Sequence, residues 1–153
     1  IVQDLKTYLD GKKILEIACE NSDFSLTASK YAKEFLATDI SLERIKRKNL
    51  KVFPGSIHFK EMNAVNLDIK ENTFDVSVCY NALGHLKSIL RPVLTEMFRV
   101  TSKYGYIIFI ATWKIDIAIF DELKNIISEY SDITLFAEVK NKKYNALIFK
   151  KTI

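Results

Sequence analysis

Polar and apolar positions along this chain switch repeatedly between two periods. Short runs rich in Ile, Leu, Val and Phe at residues 13–18, 35–38, 57–61, 74–79 and 106–112 predict strands. Those at 13–18 and 106–112 (YIIFIAT) are continuous enough to be buried on both faces. Between the runs, the apolar spacing lengthens to that of a helix. Phe24, Ala28, Tyr31, Ala32 and Phe35 share one stripe. Ser41 is placed to cap a helix reaching about residue 50, with Glu43 in its first turn where the helix dipole favours an anion. Pro54-Gly55 signals a turn before the third strand. A helix over 88–101 admits Pro92 only near its first turn. Another over 116–130 sets Ile119, Leu123, Ile126 and Tyr130 on one face. The tail reads differently: residues 134–139 and 144–151 flank the turn Asn141-Lys142-Lys143, a β-hairpin.

Strands that alternate with helices need right-handed crossovers and a mostly parallel sheet covered on both faces. The fold class expected is α/β: a single Rossmann-like, doubly wound, mostly parallel seven-stranded sheet with a C-terminal antiparallel hairpin. One domain accounts for residues 1–153, since a chain of 153 residues that is 48% hydrophobic supports one core. In such sheets ligands bind outside the carboxyl ends of the strands. Chemistry is therefore expected just after Ala18, Thr38, Glu61, Cys79 and Thr112.

Composition narrows the classes. No apolar run approaches the ~18–20 residues of a membrane span, and the N-terminus does not read as a signal peptide. The chain begins at Ile1 without Met, which suggests a preceding segment absent from this sequence. Cys19 and Cys79 stand in apolar surroundings with neither metal-ligand spacing nor a disulfide framework, so no metal is expected and a cytoplasmic location is. The net charge of +4 permits an acidic partner without demanding one. Arg44, Lys46, Arg47, Lys48 and Lys51 form a basic run, but it lacks interleaved aromatics and reads as a solvated helix face, which argues against nucleic acid.

The strand ends themselves carry polar groups. Glu16 lies near the end of the first strand, and Ala18-Cys19-Glu20-Asn21-Ser22-Asp23 follows it. Asp39 ends the second strand, about 20 positions on, where an acid can accept both hydroxyls of a ribose. Met62-Asn63-Ala64 follows the third, and Asn63 can bond the edge of a base. Tyr80-Asn81-Ala82-Leu83-Gly84-His85 follows the fourth. Each has a plainer reading: Asp39 as a loop acid, Glu16 as a loop bridge, Asn63 as a turn residue, Tyr80 as aromatic packing.

Taken in order, these segments resemble the class I S-adenosylmethionine-dependent methyltransferases of the type 11, UbiE-like group. ILEIACENSDFS resembles that family's first motif, a hydrophobic run and an acid leading into Gly-x-Gly-x-Gly. ATDIS matches the second motif. MNAVNLDIKENTFDVSVCYNALGHL resembles the stretch from its Asp-Ala pair through the fourth strand to Ala-Leu-His-His-Leu. LTEMFRVTSKYGYIIFI resembles Leu-x-Glu-x-x-Arg-Val and the strand after it. The resemblance implies S-adenosylmethionine as cofactor, with S-adenosylhomocysteine as product. It places the cofactor against Glu16, Ala18, Glu20, Asp39, Ile40, Asn63, Ala64, Tyr80 and Asn81, with Glu16 toward its ammonium end and Asp39 on its ribose.

The departures fall within those motifs. The three loop glycines are replaced by Ala18, Glu20 and Ser22. Glycine serves there for positive φ or close approach of backbone to ligand. By the same resemblance the carboxylate of the cofactor lies near this loop, and two like charges 4 Å apart at an effective dielectric near 20 repel by ~4 kcal/mol. Glu20 is thus expected to weaken binding. Asn63 stands where an Asp is usual, and its side-chain oxygen can still accept a hydrogen bond from the base. His85 matches the second His of Ala-Leu-His-His-Leu, as a general base or a structural histidine. No catalytic residue is assigned. The expectation is methyl transfer to an unidentified, small-molecule acceptor. The alternative is a non-catalytic methyltransferase-like domain acting as a binding or regulatory subunit. On either reading a homo- or hetero-oligomer is open. A nicotinamide oxidoreductase fits poorly, for it needs Gly-x-Gly-x-x-Gly.

Overall fold

A computed structural model describes residues 1–48 and 56–153. In chain order it contains α1 (Val2–Leu9), β1 (Lys13–Ile17), α2 (Asp23–Ala28), β2 (Glu34–Asp39), α3 (Glu43–Arg47), β3 (Ile57–Glu61), β4 (Phe74–Tyr80), α4 (Leu83–Leu86), a 3-10 turn (Lys87–Ile89), α5 (Leu90–Val100), β5 (Thr101–Ala111), α6 (Lys114–Ile117), α7 (Phe120–Ile127), β6 (Ile133–Lys140) and β7 (Asn145–Lys151). Among the described residues, seven strands form one sheet in the order β3-β2-β1-β4-β5-β7-β6. The first four pairings in that order, from β3 to β5, are parallel; β7 runs antiparallel to both β5 and β6. The expected α/β class, the mostly parallel sheet and the terminal hairpin are all present.

Alternation along each buried strand divides its side chains between two cores. Leu15, Ile17, Ile107 and Phe109 face the layer of α5 and α7, packing with Leu94, Met97 and Leu123. Ile14, Val76, Val78, Ile108 and Ile148 face the opposite layer, with Leu5, Leu9 and Phe24 from α1 and α2. A strand buried on both faces has no solvent side to bear polar residues, which is why the later part of β5 reads as an unbroken apolar run and why β1, apolar at Ile14, Leu15 and Ile17, carries Glu16 as a buried exception.

Several elements differ from the sequence pattern. The helix after β1 stops at Ala28, because Phe35 of its expected stripe belongs to β2 and the chain must turn back to reach it. Lys33 donates its backbone N–H to Lys12 and Gly11 donates to Tyr31, which fix that return. The expected helix over 88–101 begins at Leu90, leaving Pro92 in its first turn where its missing N–H has no partner to lose. The helix expected over 116–130 is divided into α6 and α7, and Asp116 within α6 turns inward to accept the Gly84 N–H. Ser41 lies two residues before α3 and its hydroxyl accepts the Glu43 N–H at 3.3 Å. The stretch of that helix beyond residue 48, Lys51 of the basic run and the Pro54-Gly55 turn lie outside the described residues.

The LTEMFR segment has a structural task. Glu96 accepts the Leu67 N–H at 2.7 Å, and Arg99 donates to the carbonyls of Ile69 (2.7 Å) and Leu67 (3.1 Å). Arg99 also pairs with Glu96 through two hydrogen bonds of 2.8 Å. This pair on α5 therefore anchors the loop that leads away from Asn63 and Ala64. Arg99→Ala is expected to cost about 1.5–3 kcal/mol, the range for hydrogen bonds involving a charged group. Amide exchange at residues 63–69 should speed up more than at β1. Equal acceleration throughout would mean that the pair stabilises the whole domain rather than the loop.

Candidate functional site

A cavity of about 490 Å³ opens over the carboxyl ends of four adjacent strands. The sheet order sets out its lining from one end to the other: Met62, Asn63 and Ala64 after β3, Asp39, Ile40 and Ser41 after β2, Ala18 and Glu20 after β1, and His85, Leu86 and Ile89 after β4. Strand spacing of ~4.8 Å makes this row about 14 Å long. Both the volume and the length suit a small molecule, for which sites of roughly 300–1,000 Å³ are usual. Glu43, Arg44 and Arg47 of α3 complete the wall.

The loop after β1 keeps a backbone that glycine normally supplies. Ala18, Glu20 and Ser22 have φ of 49°, 51° and 64°, all left-handed, at alternate positions. For residues with a Cβ this conformation costs ~1–2 kcal/mol each, so roughly 3–6 kcal/mol is held in five residues. Tertiary hydrogen bonds sustain it. Cys19 donates its N–H to the Thr38 carbonyl at 2.9 Å, Glu20 donates to Asp39 Oδ2 at 2.8 Å, and Ser22 donates to the Cys19 carbonyl at 2.7 Å. Ser22 is fully buried, its hydroxyl has no hydrogen-bonding nitrogen or oxygen, and the sulfur of Cys19 is a weak substitute.

Asp39 ties the loop to β2 and still faces the cavity. One oxygen accepts the Glu20 N–H and the other the Ser41 N–H at 3.2 Å, and a carboxylate retains further lone pairs for a ligand. Asn63 presents a partly used amide: its oxygen accepts the Val65 N–H at 3.1 Å, leaving the second lone pair on that oxygen and the NH₂ group. Ile40 is 74% exposed beside them, an apolar surface with no packing role of its own.

Glu20 does not lie in the cavity as a bare negative charge. Its Oε2 accepts Arg44 Nη1 at 3.2 Å, and its Oε1 is 3.3 Å from His85 Nε2. The repulsion expected from Glu20 is therefore offset by a guanidinium on the same carboxylate. Pairing spreads through the basic run: Lys46 meets Glu43 at 3.5 Å and Lys48 meets Asp23 at 3.3 Å. The run is thus partly a solvated face and partly, through Arg44 and Arg47, cavity wall. Neither arginine was singled out for the site by the sequence, because the helical pattern alone does not say which of its turns faces the sheet.

Three expected site residues do not line the cavity. Glu16 is fully buried beneath α2, where Ser25 donates to its Oε2 and its Oε1 has no partner. Burial, and next the carboxylates of Asp39, Asp23 and Glu20, raise its pKa from 4.5 to about 8 despite the Ser25 hydrogen bond. The group is neutral near pH 7 and holds α2 against β1, so it offers no charge to a ligand's ammonium. Tyr80 stacks on Phe24 with centroids 5.5 Å apart. Asn81 uses both ends of its amide at the end of β5, donating to Thr112 Oγ1 (2.7 Å) and accepting the Thr112 N–H (2.8 Å). The remaining six, Ala18, Glu20, Asp39, Ile40, Asn63 and Ala64, line the same cavity together.

The fold has counterparts among known proteins. The sequence profile of the family described as "Methyltransferase domain" matches residues 15–109, more than half of the chain. The chain belongs to the class I methyltransferases, type 11. No curated protein sequence matches it. Solved structures do resemble it in fold. An S-adenosylmethionine-dependent methyltransferase from Mesorhizobium loti superposes with a TM-score of 0.75 at 13% identity, covering 98% of this chain and 95% of that one. The N-methyltransferase NodS from Bradyrhizobium japonicum, in complex with S-adenosyl-l-homocysteine, gives 0.75 at 16% identity over 98% and 83%. Magnesium protoporphyrin IX methyltransferase from Synechocystis, with bound SAM, gives 0.72 at 12% identity over 99% and 78%. At these identities the likeness is one of fold.

Two stability measurements follow from the methyltransferase loop. The unfolded chain releases the Glu16 proton above its ordinary pKa of 4.5, whereas the folded chain keeps it until about 8. A raised carboxyl pKa makes stability fall as pH rises through that window, by up to about 1.4 kcal/mol per pH unit. Glu16→Gln, which mimics the neutral carboxyl, should match the wild type near pH 4.5 and exceed it increasingly up to pH 8 in urea unfolding. A difference that does not vary with pH would contradict the buried neutral state. Ser22→Gly should stabilise by about 1 kcal/mol, the left-handed strain relieved less the added entropy of an unfolded glycine. A loss of stability would show that the buried hydroxyl has a favourable role.

Proposed function

We propose that this domain binds S-adenosylmethionine and transfers its methyl group to a small-molecule acceptor. The observation that carries the reading is the cavity itself. It aligns an acid after β2, an amide after β3 and the strained β1 loop along one row of strand ends, with apolar walls at Ile40, Met62 and Ala64. These residues fit a nucleoside. Asp39 would accept the ribose hydroxyls through its remaining lone pairs, Asn63 and the backbone of Ala64 would meet the base edge, and Ile40 with Met62 would cover its faces. When bound, the cofactor supplies an electrophilic methyl on a sulfonium.

What the chain contributes to such a reaction is positioning and exclusion of water rather than acid–base chemistry. His85 is the one histidine lining the cavity, and its Nε2 is directed at Glu20. Leu86 and Ile89 give the β4 end of the cavity an apolar edge, where an acceptor would approach. The named relatives do not extend an acceptor to this chain. A tetrapyrrole is named for one, and for another only that it methylates nitrogen.

A second reading, a methyltransferase-like domain that serves as a binding or regulatory subunit without turnover, draws support from one observation. Three residues with side chains hold left-handed conformations where glycine would be unstrained. Calorimetric titration of S-adenosylmethionine and S-adenosylhomocysteine tests the first reading. The expected result is micromolar binding that Asp39→Ala weakens at least tenfold, as loss of a charge-assisted hydrogen bond implies. A folded wild-type chain that binds neither at millimolar concentration would leave only the second.

A further inference from the structure

We infer that Glu20 and Arg44 together recognise the amino-acid end of the cofactor, as a preformed pair of opposite charges complementary to a zwitterion. The inference rests on the cofactor reading above and deepens it. Its starting point is the order of groups along the cavity. A nucleoside with its base after β3 and its ribose against Asp39 after β2 must send its 5′ substituent toward β1 and β4, because these are the next strands in the sheet. What lies there is Glu20, with Arg44 Nη1 3.2 Å from Oε2 and His85 Nε2 3.3 Å from Oε1.

An uncharged 5′ substituent would gain nothing from such a pair. A free carboxylate would meet Glu20 as well as Arg44, and a free amine would meet Arg44 as well as Glu20. A group carrying an ammonium and a carboxylate on one carbon matches both. It exchanges one internal ion pair for two, ammonium on Glu20 and carboxylate on Arg44, with no charge left over. The geometry permits the exchange. The side chain of Arg44 is 59% exposed and that of Glu20 22%, so the pair is reached from solvent and is not locked into the core.

The carboxylate near the end of β1 cannot fill this role. Glu16 is fully buried, is bonded to Ser25, lies outside the cavity lining and is neutral near pH 7. Glu20 does line the cavity and is held there by its own backbone, through the N–H that it donates to Asp39. A single left-handed turn thereby directs an acid into the place where the ammonium would arrive. The residue that looked most hostile to the cofactor becomes its anchor.

The test compares two ligands that share the nucleoside and the thioether: S-adenosylhomocysteine, which carries the amino-acid end, and 5′-methylthioadenosine, which lacks it. Each is titrated calorimetrically into the full chain and into Glu20→Gln, Arg44→Gln and Arg44→Lys, all of them surface-accessible changes verified by thermal unfolding. The wild type should prefer S-adenosylhomocysteine by at least tenfold. Glu20→Gln and Arg44→Gln should each weaken that ligand about tenfold while altering 5′-methylthioadenosine less than twofold, and Arg44→Lys should retain most of the preference. Tighter binding of S-adenosylhomocysteine by Glu20→Gln would overturn the inference and make Glu20 a plug. So would equal losses for both ligands, or no wild-type preference between them, with the cofactor reading intact. If neither ligand binds the folded wild type, the inference and the cofactor reading fall together.

Discussion

Left-handed backbone at three of five consecutive residues, none of them glycine, survives only if something outside the loop enforces it. Here the enforcement is the edge of β2. The Thr38 carbonyl and the Asp39 carboxylate accept the N–H groups of Cys19 and Glu20, pinning the turn while β1 and β2 stay in parallel register. That constraint shapes the rest of the site. It opens the floor of the cavity at Ala18, directs Glu20 toward α3 and α4, and starts α2 directly over the buried Glu16. The strain is a sizeable share of the 5–15 kcal/mol that holds a typical domain together. It is sustained because the strands beneath are buried on both faces and do not yield.

Much of the architecture was legible because buried parallel strands and amphipathic helices leave unmistakable periods in a sequence. Every strand expected from residues 13 to 151 is present, and the terminal hairpin is where its polar turn placed it. Helix ends were less legible, for a physical reason. The stripe from Phe24 to Phe35 continues through a turn into a strand, and apolar residues on either side of such a turn bury equally well. The interruption between α6 and α7 leaves the apolar stripe intact, and the inward turn of Asp116 to the Gly84 N–H joins distant parts of the chain, which local pattern does not encode.

The site was legible in its positions but not in its directions. Asp39, Asn63 and Ala64 fall on the cavity because strand ends are fixed by topology. Glu16, Tyr80 and Asn81 are equally well placed along the chain, yet their side chains are spent on Ser25, Phe24 and Thr112. Only packing decides which way a side chain near a strand end will turn. The same holds for Arg44, whose contact with Glu20 spans 24 positions of sequence and converts a charge clash into a pair.

The position of β7 has a consequence for how the domain is made. It lies between β5 and β6, and its Lys151 ammonium bonds the carbonyls of Phe98 and Thr101, where α5 gives way to β5. A nascent chain that has not yet reached residue 145 can pair β1 through β5, but it leaves one side of β5 open along Ile107, Ile108, Phe109 and Ile110. An open apolar edge of that kind recruits strands from other molecules. During synthesis the half that carries the cavity is therefore complete before the molecule is protected from its neighbours, and the interval until β7 arrives is when a holding chaperone would matter most.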